Sequence, residues 1–299
     1  MTNLYTHQDS NKRRTYLLFA FFLITVIGLG WVFSYVFNSQ GILVFAVAFS
    51  SITAIISYWS SDKIALSLAR AKQIKEKNEN PYLWNMVENL CITAGLPMPR
   101  VYTTPERQIN AFATGRDPEH AAIAVTEGAL ERLENEELEG VLAHELSHVG
   151  NRDILVSTVA VILAGVISLL ADFFLRSMLW GGFRSRDNDR AGGILMLVGI
   201  ALSILAPIGA MLIQLAISRK REFLADASGV LLTRYPEGLA RALEKIAGDT
   251  SPMKFAAHDS TAHLWLDNPY KKTSWFHKMF QTHPPIGDRI KTLRELGGQ

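Results

Sequence analysis

His144-Glu145-Leu146-Ser147-His148, followed after a short polar break by an apolar run from Ile154, is the stretch on which the reading of this chain turns. Histidines four residues apart lie on one face of an α-helix, so both imidazoles can reach a single metal ion. The glutamate between them is placed to take a proton from a water that the metal activates. The pentapeptide points to zinc hydrolysis, and the apolar run points to the surface of a membrane. A five-residue pattern with two free positions also arises by chance, so its surroundings decide.

Four blocks have roughly the length a bilayer core requires of a helix, about 20 apolar residues. They cover 17–37, 42–59, 154–180 and 191–217, the third interrupted late by Asp172 and Arg176. Trp31, Tyr35, Tyr58, Trp59 and Trp180 sit near block ends, where aromatic rings suit the headgroup region. Buried core helices could explain the third and fourth blocks. They explain the first two poorly, because only Asn38-Ser39-Gln40-Gly41 separates that pair.

Lys12, Arg13 and Arg14 would suit a signal peptide, but the apolar stretch is long, no A-x-A-like site follows, and a second block comes at once. The reading is an uncleaved hairpin. Lys63, Arg70, Lys72, Lys75 and Lys77 follow it and the turn is uncharged, which puts both flanks in the cytoplasm. The third and fourth blocks make a second hairpin, joined by a loop with Arg184, Arg186, Arg190, Asp187 and Asp189. Whether that hairpin crosses, dips or packs on soluble protein stays open.

The fold class is therefore an α+β membrane protein, mostly helical. It has two transmembrane hairpins and a small, mostly antiparallel sheet beside the H-E-L-S-H helix. The segments are an N-terminal cytoplasmic tail (1–16), hairpin 1 (17–59), a first part of the cytoplasmic domain (60–153), hairpin 2 (154–217) and its second part (218–299). His7 falls in a tail expected to lack fixed structure.

With 299 residues, the chain can bury one large or two modest cores. Hydrophobic residues make up 48% and charged residues 19%, and the net charge of +2 carries no nucleic-acid footprint. The single cysteine, Cys91, excludes an internal disulfide, and its helical spacing with Val87 and Leu90 reads as a buried, inert thiol. Pro81 opens that helix, and Gly95 with Pro97 stops it. Short extended segments follow at 100–103, 108–114 and 121–126, with Gly115-Arg116-Asp117-Pro118 turning between the last two.

Asn135 is read as the cap of the H-E-L-S-H helix, with Glu136 and Glu137 in its first turn and Leu138, Val141, Leu142 and Leu146 on its core face. This helix is expected to run into the membrane segment with little interruption. Helices are also expected at 219–232, 236–247 and 285–296, with an irregular aromatic stretch at 249–282.

A hydrolytic zinc usually has three protein ligands plus water. Glu222 is the candidate third, in Arg221-Glu222-Phe223-Leu224-Ala225-Asp226. Four residues apart, Glu222 can ligate while Asp226 orients a ligand histidine. The competing reading is a solvated charged face. His120, His258, His263 and His277 have no partner at ligand spacing and read as surface or packing residues.

H-E-L-S-H, two apolar blocks, R-E-F-L-A-D-A-S-G and T-H-P-P before a basic terminal helix resemble the HtpX-type membrane zinc metalloproteases, relatives of the CAAX prenyl endopeptidases. Asn110-Ala111-Phe112-Ala113-Thr114-Gly115 matches the N-A-F-A-T-G segment of that family. The resemblance implies one zinc per chain, with His144, His148 and Glu222 as ligands, Glu145 as general base and Asp226 supporting a ligand. It also implies that Asn110, Ala111, Phe112 and Ala113 border the cleft and pair with substrate as an added strand. His283 is either a donor to the tetrahedral oxyanion or a structural hydrogen bond at the Pro284-Pro285 turn. Arg289 carries the same two readings, the structural one preferred.

The function implied is endoproteolysis of misfolded or damaged membrane proteins at the cytoplasmic face of the inner membrane, in quality control and stress response. Its partners are polypeptide substrates and the lipid bilayer, with no oligomeric state indicated. Two alternatives are a processing peptidase for one membrane-associated substrate and a non-catalytic scaffold with structural zinc. A transporter fits poorly, since the blocks lack convergent ionisable residues apart from Asp172 and Arg176.

Overall fold

The computed structural model describes residues 4–36, 38–181, 199, 201, 205, 219–251 and 284–298. Most of the fourth apolar block, its preceding loop, the aromatic stretch from 252, His258, His263, His277 and His283 lie outside the described residues, as do the side chains of Asp172 and Arg176.

Helices α1 (Leu4–Val36) and α2 (Gln40–Trp59) form the first hairpin. Asn38 takes the left-handed conformation at the turn, with φ of 48°. Gly30 lets the two helices cross closely, since a Cβ there would collide with that of Ala46. Both helices contain stretches long and apolar enough to cross a membrane, Arg13–Tyr35 and Gln40–Trp59. Ile24, Val44, Phe45, Ile52 and Ile55 are exposed along them. Soluble proteins seldom leave so continuous an apolar surface uncovered, whereas a bilayer solvates it. The expected N-terminal tail is not irregular: residues from Leu4 onward belong to α1. Asn11 and Thr15 are buried there, and Thr15 Oγ1 donates to the Asn11 carbonyl at 3.1 Å.

Helix α3 (Ser61–Leu68) leads to a four-stranded sheet of β1 (Lys72–Ile74), β2 (Arg100–Thr104), β3 (Ala111–Thr114) and β4 (Ala122–Thr126), in spatial order β1-β2-β4-β3. Two pairings are antiparallel, as expected, but the central β2–β4 pair is parallel, so the sheet is mixed. The β3–β4 hairpin docks by its second strand, which leaves β3 as an edge. Gly115 makes its turn, with φ of 140° and the His120 carbonyl where a Cβ would stand. Strand β1 and helix α3 escaped the sequence reading because each is too short to show a period.

Alternation along the strands separates two faces. Tyr102, Phe112, Ala122 and Ala124 meet Ala65, Leu66 and Ala69 of α3. Val101, Ile123 and Val125 join the main core with Leu83, Val87, Leu90 and Cys91 of α4 (Pro81–Ala94) and Leu138, Val141, Leu142 and Leu146 of α6 (Asn135–Gly150). Asn80 caps α4, accepting the Leu83 amide at 3.0 Å, and Gly95 ends it with φ of 65°. Burial pushes the Cys91 thiol up to about 11, so it stays protonated and unreactive.

Between β4 and α6 runs the short α5 (Glu127–Arg132). The cap of α6 is Glu134 rather than Asn135, and Glu137 reaches back to accept the Glu134 amide at 2.8 Å. Nor does α6 run straight on. It ends at Asn151-Arg152, where Arg152 takes a φ of 57°, and α7 (Asp153–Gly181) leaves at 88° to it. A left-handed residue cannot continue a right-handed helix, which is why the chain turns there. Val156, Val159, Ala160, Leu163 and Ile167 of α7 then pack against Leu18, Phe22 and Val26 of α1. Finally α8 (Arg219–Thr233), α9 (Pro236–Gly248) and α10 (Ile286–Gly297) close over α6, with Leu239, Leu243, Ile246 and Leu293 in the main core.

Candidate metal centre

His144 and His148 lie one turn apart on α6, and their Nε2 atoms are 3.2 Å from each other. Glu222 comes from α8, with Oε2 3.8 Å from His144 Nε2 and Oε1 3.7 Å from His148 Nε2. Ligand atoms of the three residues all fall within 4.8 Å of one another. Tetrahedral zinc with bonds of about 2.0–2.2 Å needs ligand atoms about 3.3–3.6 Å apart, so the trio can close on one ion with small side-chain movements.

The opposite ring nitrogens support the same reading. His144 Nδ1 is 2.9 Å from Asp226 Oδ1, and His148 Nδ1 is 3.3 Å from Asp153 Oδ2. A carboxylate only accepts, so each Nδ1 carries a proton and each Nε2 is the nitrogen turned towards the trio, where a metal would take the place of any proton on it. Burial works against charge on His148, but the hydrogen bond to Asp153 and the carboxylates of Glu222, Asp153 and Glu145 raise it to about 9. An excess of carboxylates around two imidazoles is an environment that a divalent cation neutralises.

Asp226 is itself clamped. Arg289 on α10 donates to it twice, Nη2 to Oδ1 at 2.6 Å and Nε to Oδ2 at 2.8 Å. Burial would raise the Asp226 carboxyl, yet Arg289 and His144 hold it down to about 2. Arg289 is fully buried, and its Nη1 lies 3.6 Å from Glu222 Oε2. It braces both carboxylates of α8 at once. Glu145, 4% exposed, sits between the histidines in sequence. The charged-face alternative for Glu222 and Asp226 does not describe them, since they are 7% and 2% exposed.

Of the segment expected to border a cleft, Ala111, Phe112 and Ala113 are in the edge strand β3, which packs on α6, with Asn110 just before it. The amide of Thr126 donates to the Asn110 carbonyl at 3.1 Å, so Asn110 faces β4. By strand alternation the main-chain groups of Ala111 and Ala113 face away from it. Asn110 Oδ1 accepts the Ala111 amide at 3.1 Å, which leaves Ala113 to offer the outward amide. Just upstream, Asp249 Oδ2 accepts the Ile109 amide at 2.7 Å and Arg132 Nη2 at 2.7 Å, fixing where the edge begins. His120 pairs with Asp117, Nδ1 to Oδ1 at 2.5 Å, away from the trio.

Asp153, Asp249 and Asn11 were missed in the sequence. Asp153 stands five residues after His148, past the end of α6, so no helical spacing links them. Asp249 and Asn11 reach their partners across 140 and 142 residues.

A model of peptidase family M48 matches residues 77–297. The chain is 49% identical over 299 residues to a protease HtpX homolog of Caldanaerobacter subterraneus subsp. tengcongensis, with 98% of each chain covered. It is 44% identical over 296 residues to one of Tropheryma whipplei (strain Twist), with 99% of each covered. Among solved structures it is similar to S. mikatae Ste24p, with 18% identity and a TM-score of 0.51 over 93% of this chain. It spans 65% of the length of that protein, and at this identity the likeness concerns the fold.

Proposed function

This chain belongs to peptidase family M48 and is a metalloendopeptidase with membrane helices, and from that premise we propose that its metal is zinc and its site works at the cytoplasmic membrane face. One observation carries the reading: His144, His148 and Glu222 converge while Asp226 and Asp153 hold the far ring nitrogens. One zinc per chain would bind these three residues. When bound, zinc polarises a carbonyl and lowers the pKa of water towards neutrality.

The residues of the chain do the rest. Glu145 takes the proton of the attacking water and passes it to the departing nitrogen. Asp226 and Arg289 keep His144 and Glu222 in place. Ala113, with its neighbours Asn110, Ala111 and Phe112, pairs with substrate backbone as an added strand and draws an extended peptide alongside α6. His283, next to Pro284, serves as a donor to the oxyanion.

The substrates we propose are misfolded or damaged membrane proteins of the inner membrane, in quality control under stress. Extended backbone recognition by an edge strand is sequence-tolerant, which favours this over a processing peptidase with one defined site. Charge flanking the first hairpin supports the cytoplasmic orientation, and the 29-residue α7 with the following block supports a second hairpin. A cysteine in place of Ser39 should react with an impermeant maleimide from outside the cell.

The test of the chemistry is Glu145→Gln against wild type, both loaded with equal zinc and given a membrane-protein substrate. Proteolysis should fall by at least about 100-fold with zinc retained. Equal cleavage would overturn the mechanism.

A further inference from the structure

Asp153 is the first residue of α7 and is 2% exposed. One carboxylate oxygen, Oδ2, faces His148 Nδ1 at 3.3 Å. The other, Oδ1, accepts Asn11 Nδ2 at 2.6 Å, and Arg221 Nε lies 3.9 Å from it. Asn11 Nδ2 also donates to the Asn151 carbonyl at 3.1 Å, inside the turn that separates α6 from α7. Asn11 is 4% exposed and stands on α1, six residues before the first apolar block. A buried amide aimed at a buried carboxylate, which is aimed in turn at an imidazole, links α1 to α7 and α6 across 142 residues of sequence.

The left-handed Arg152 and the 88° bend are what return Asp153 to the face of α6 that presents His148. An acidic residue in the first turn of a helix is common for its own sake, because it meets the positive end of the helix dipole. That role needs neither a second oxygen held by Asn11 nor an approach to His148. Of the two carboxylates behind the histidines, Asp226 is fixed by Arg289 from the soluble domain. Asp153 is fixed by the first membrane helix.

We propose that Asn11 and Asp153 are positioning residues for His148, so that the seating of α1 sets how tightly the metal is held. The N-terminal end of α1 is then part of the metal centre as well as the start of an anchor. Displacing α1 would release Asp153 to turn away from His148, and the site would lose one of its two oriented imidazoles. Metal retention thereby reports whether the first membrane helix is correctly packed. This inference rests on the proposed ligand set of His144, His148 and Glu222.

The experiment uses full-length protein in detergent and measures zinc affinity by chelator competition beside the melting temperature of the apo-protein. Asp153→Asn keeps the shape and the acceptor for Asn11 but loses the charge facing His148, and should weaken zinc binding by about 10- to 100-fold. Asn11→Ala should weaken it in the same direction by a smaller factor, and Asn11→Ser should recover part of the loss. Proteolysis by each variant should return towards wild type as buffered free zinc is raised. Leu17→Ala, exposed on the same helix, should bind zinc as wild type does. Wild-type zinc affinity in Asp153→Asn and Asn11→Ala, whether or not they melt earlier, would overturn the proposal and leave these residues a structural role alone. Wild type that binds no zinc, or binds it unchanged after Glu222→Ala, would instead overturn the ligand set itself.

Discussion

Gly229 lies against the backbone of His144, and a Cβ at position 229 would stand 3.0 Å from the His144 amide nitrogen. Three residues after Asp226 and seven after Glu222, this glycine is where α8 rests on α6. The atom it faces is helix backbone, which cannot swing aside as a side chain does. Gly229→Ala should therefore push α8 outward at the point that sets the reach of Glu222. The expected cost is about 1–3 kcal/mol of stability, and zinc affinity should fall with it. Calorimetry and chelator competition on the same preparation measure both.

Arg289 and Asp226 are a buried pair, and removing one partner strands the other. Arg289→Ala should cost about 3–5 kcal/mol. Arg289→Lys keeps the charge but loses the two-pronged contact, and should fall between wild type and alanine. Chemical denaturation of the three proteins should give that order; a lysine variant equal to wild type would show that the fork geometry is immaterial.

Asp249 ties the soluble core to the start of the edge strand. Burial alone would raise its carboxyl, but the Arg132 guanidinium and the amides of Ile109 and Ser251 hold it well below the usual carboxylate range. A group with a depressed folded pKa contributes fully above its unfolded value of about 3.9 and loses that contribution as pH falls towards the folded one. Asp249→Asn should thus cost about 1–3 kcal/mol at pH 7. The gap to wild type should narrow as the pH is taken below about 4. Denaturation curves across pH 3–7 check the sign, since a gap that widens on acidification would be the wrong way round.

Ala113 presents the outward amide of β3, and proline there removes the donor while leaving the ladder to β4 intact. Edge strands tolerate proline on the solvent side. Ala113→Pro should lower kcat/KM on an extended peptide by about 2- to 10-fold, the worth of one lost hydrogen bond. Its zinc content should not change. Loss of zinc together with activity would mean that the substitution had disturbed α6 instead.

Much of the site was legible because a helix encodes its faces in local spacing. His144 and His148, like Glu222 and Asp226, are four residues apart, and that interval alone puts each pair on one side of its helix. The apolar blocks were legible for a related reason, since length and composition bear directly on what a bilayer will solvate. The edge position of β3 was implied by the family resemblance alone and not by its own residues, because which strand of a hairpin docks against β2 is decided by packing. The helical state of residues from Leu4 was missed as well, since the polar residues there show no apolar period and are held by contacts far along the chain.

The sequence by itself determined which side chains share a helix face, where the apolar helices run and that two imidazoles can meet one ion. Tertiary structure decided what stands behind those imidazoles. Asp226 meets Arg289 across 63 residues, and Asn11 meets Asp153 across 142. No local period reaches so far. Those pairings exist because α8 and α10 close on α6 and because the bend at Arg152 returns α7 to α1. The orientation of the ring nitrogens, and with it the readiness of the site for a metal, is therefore a property of the packed molecule.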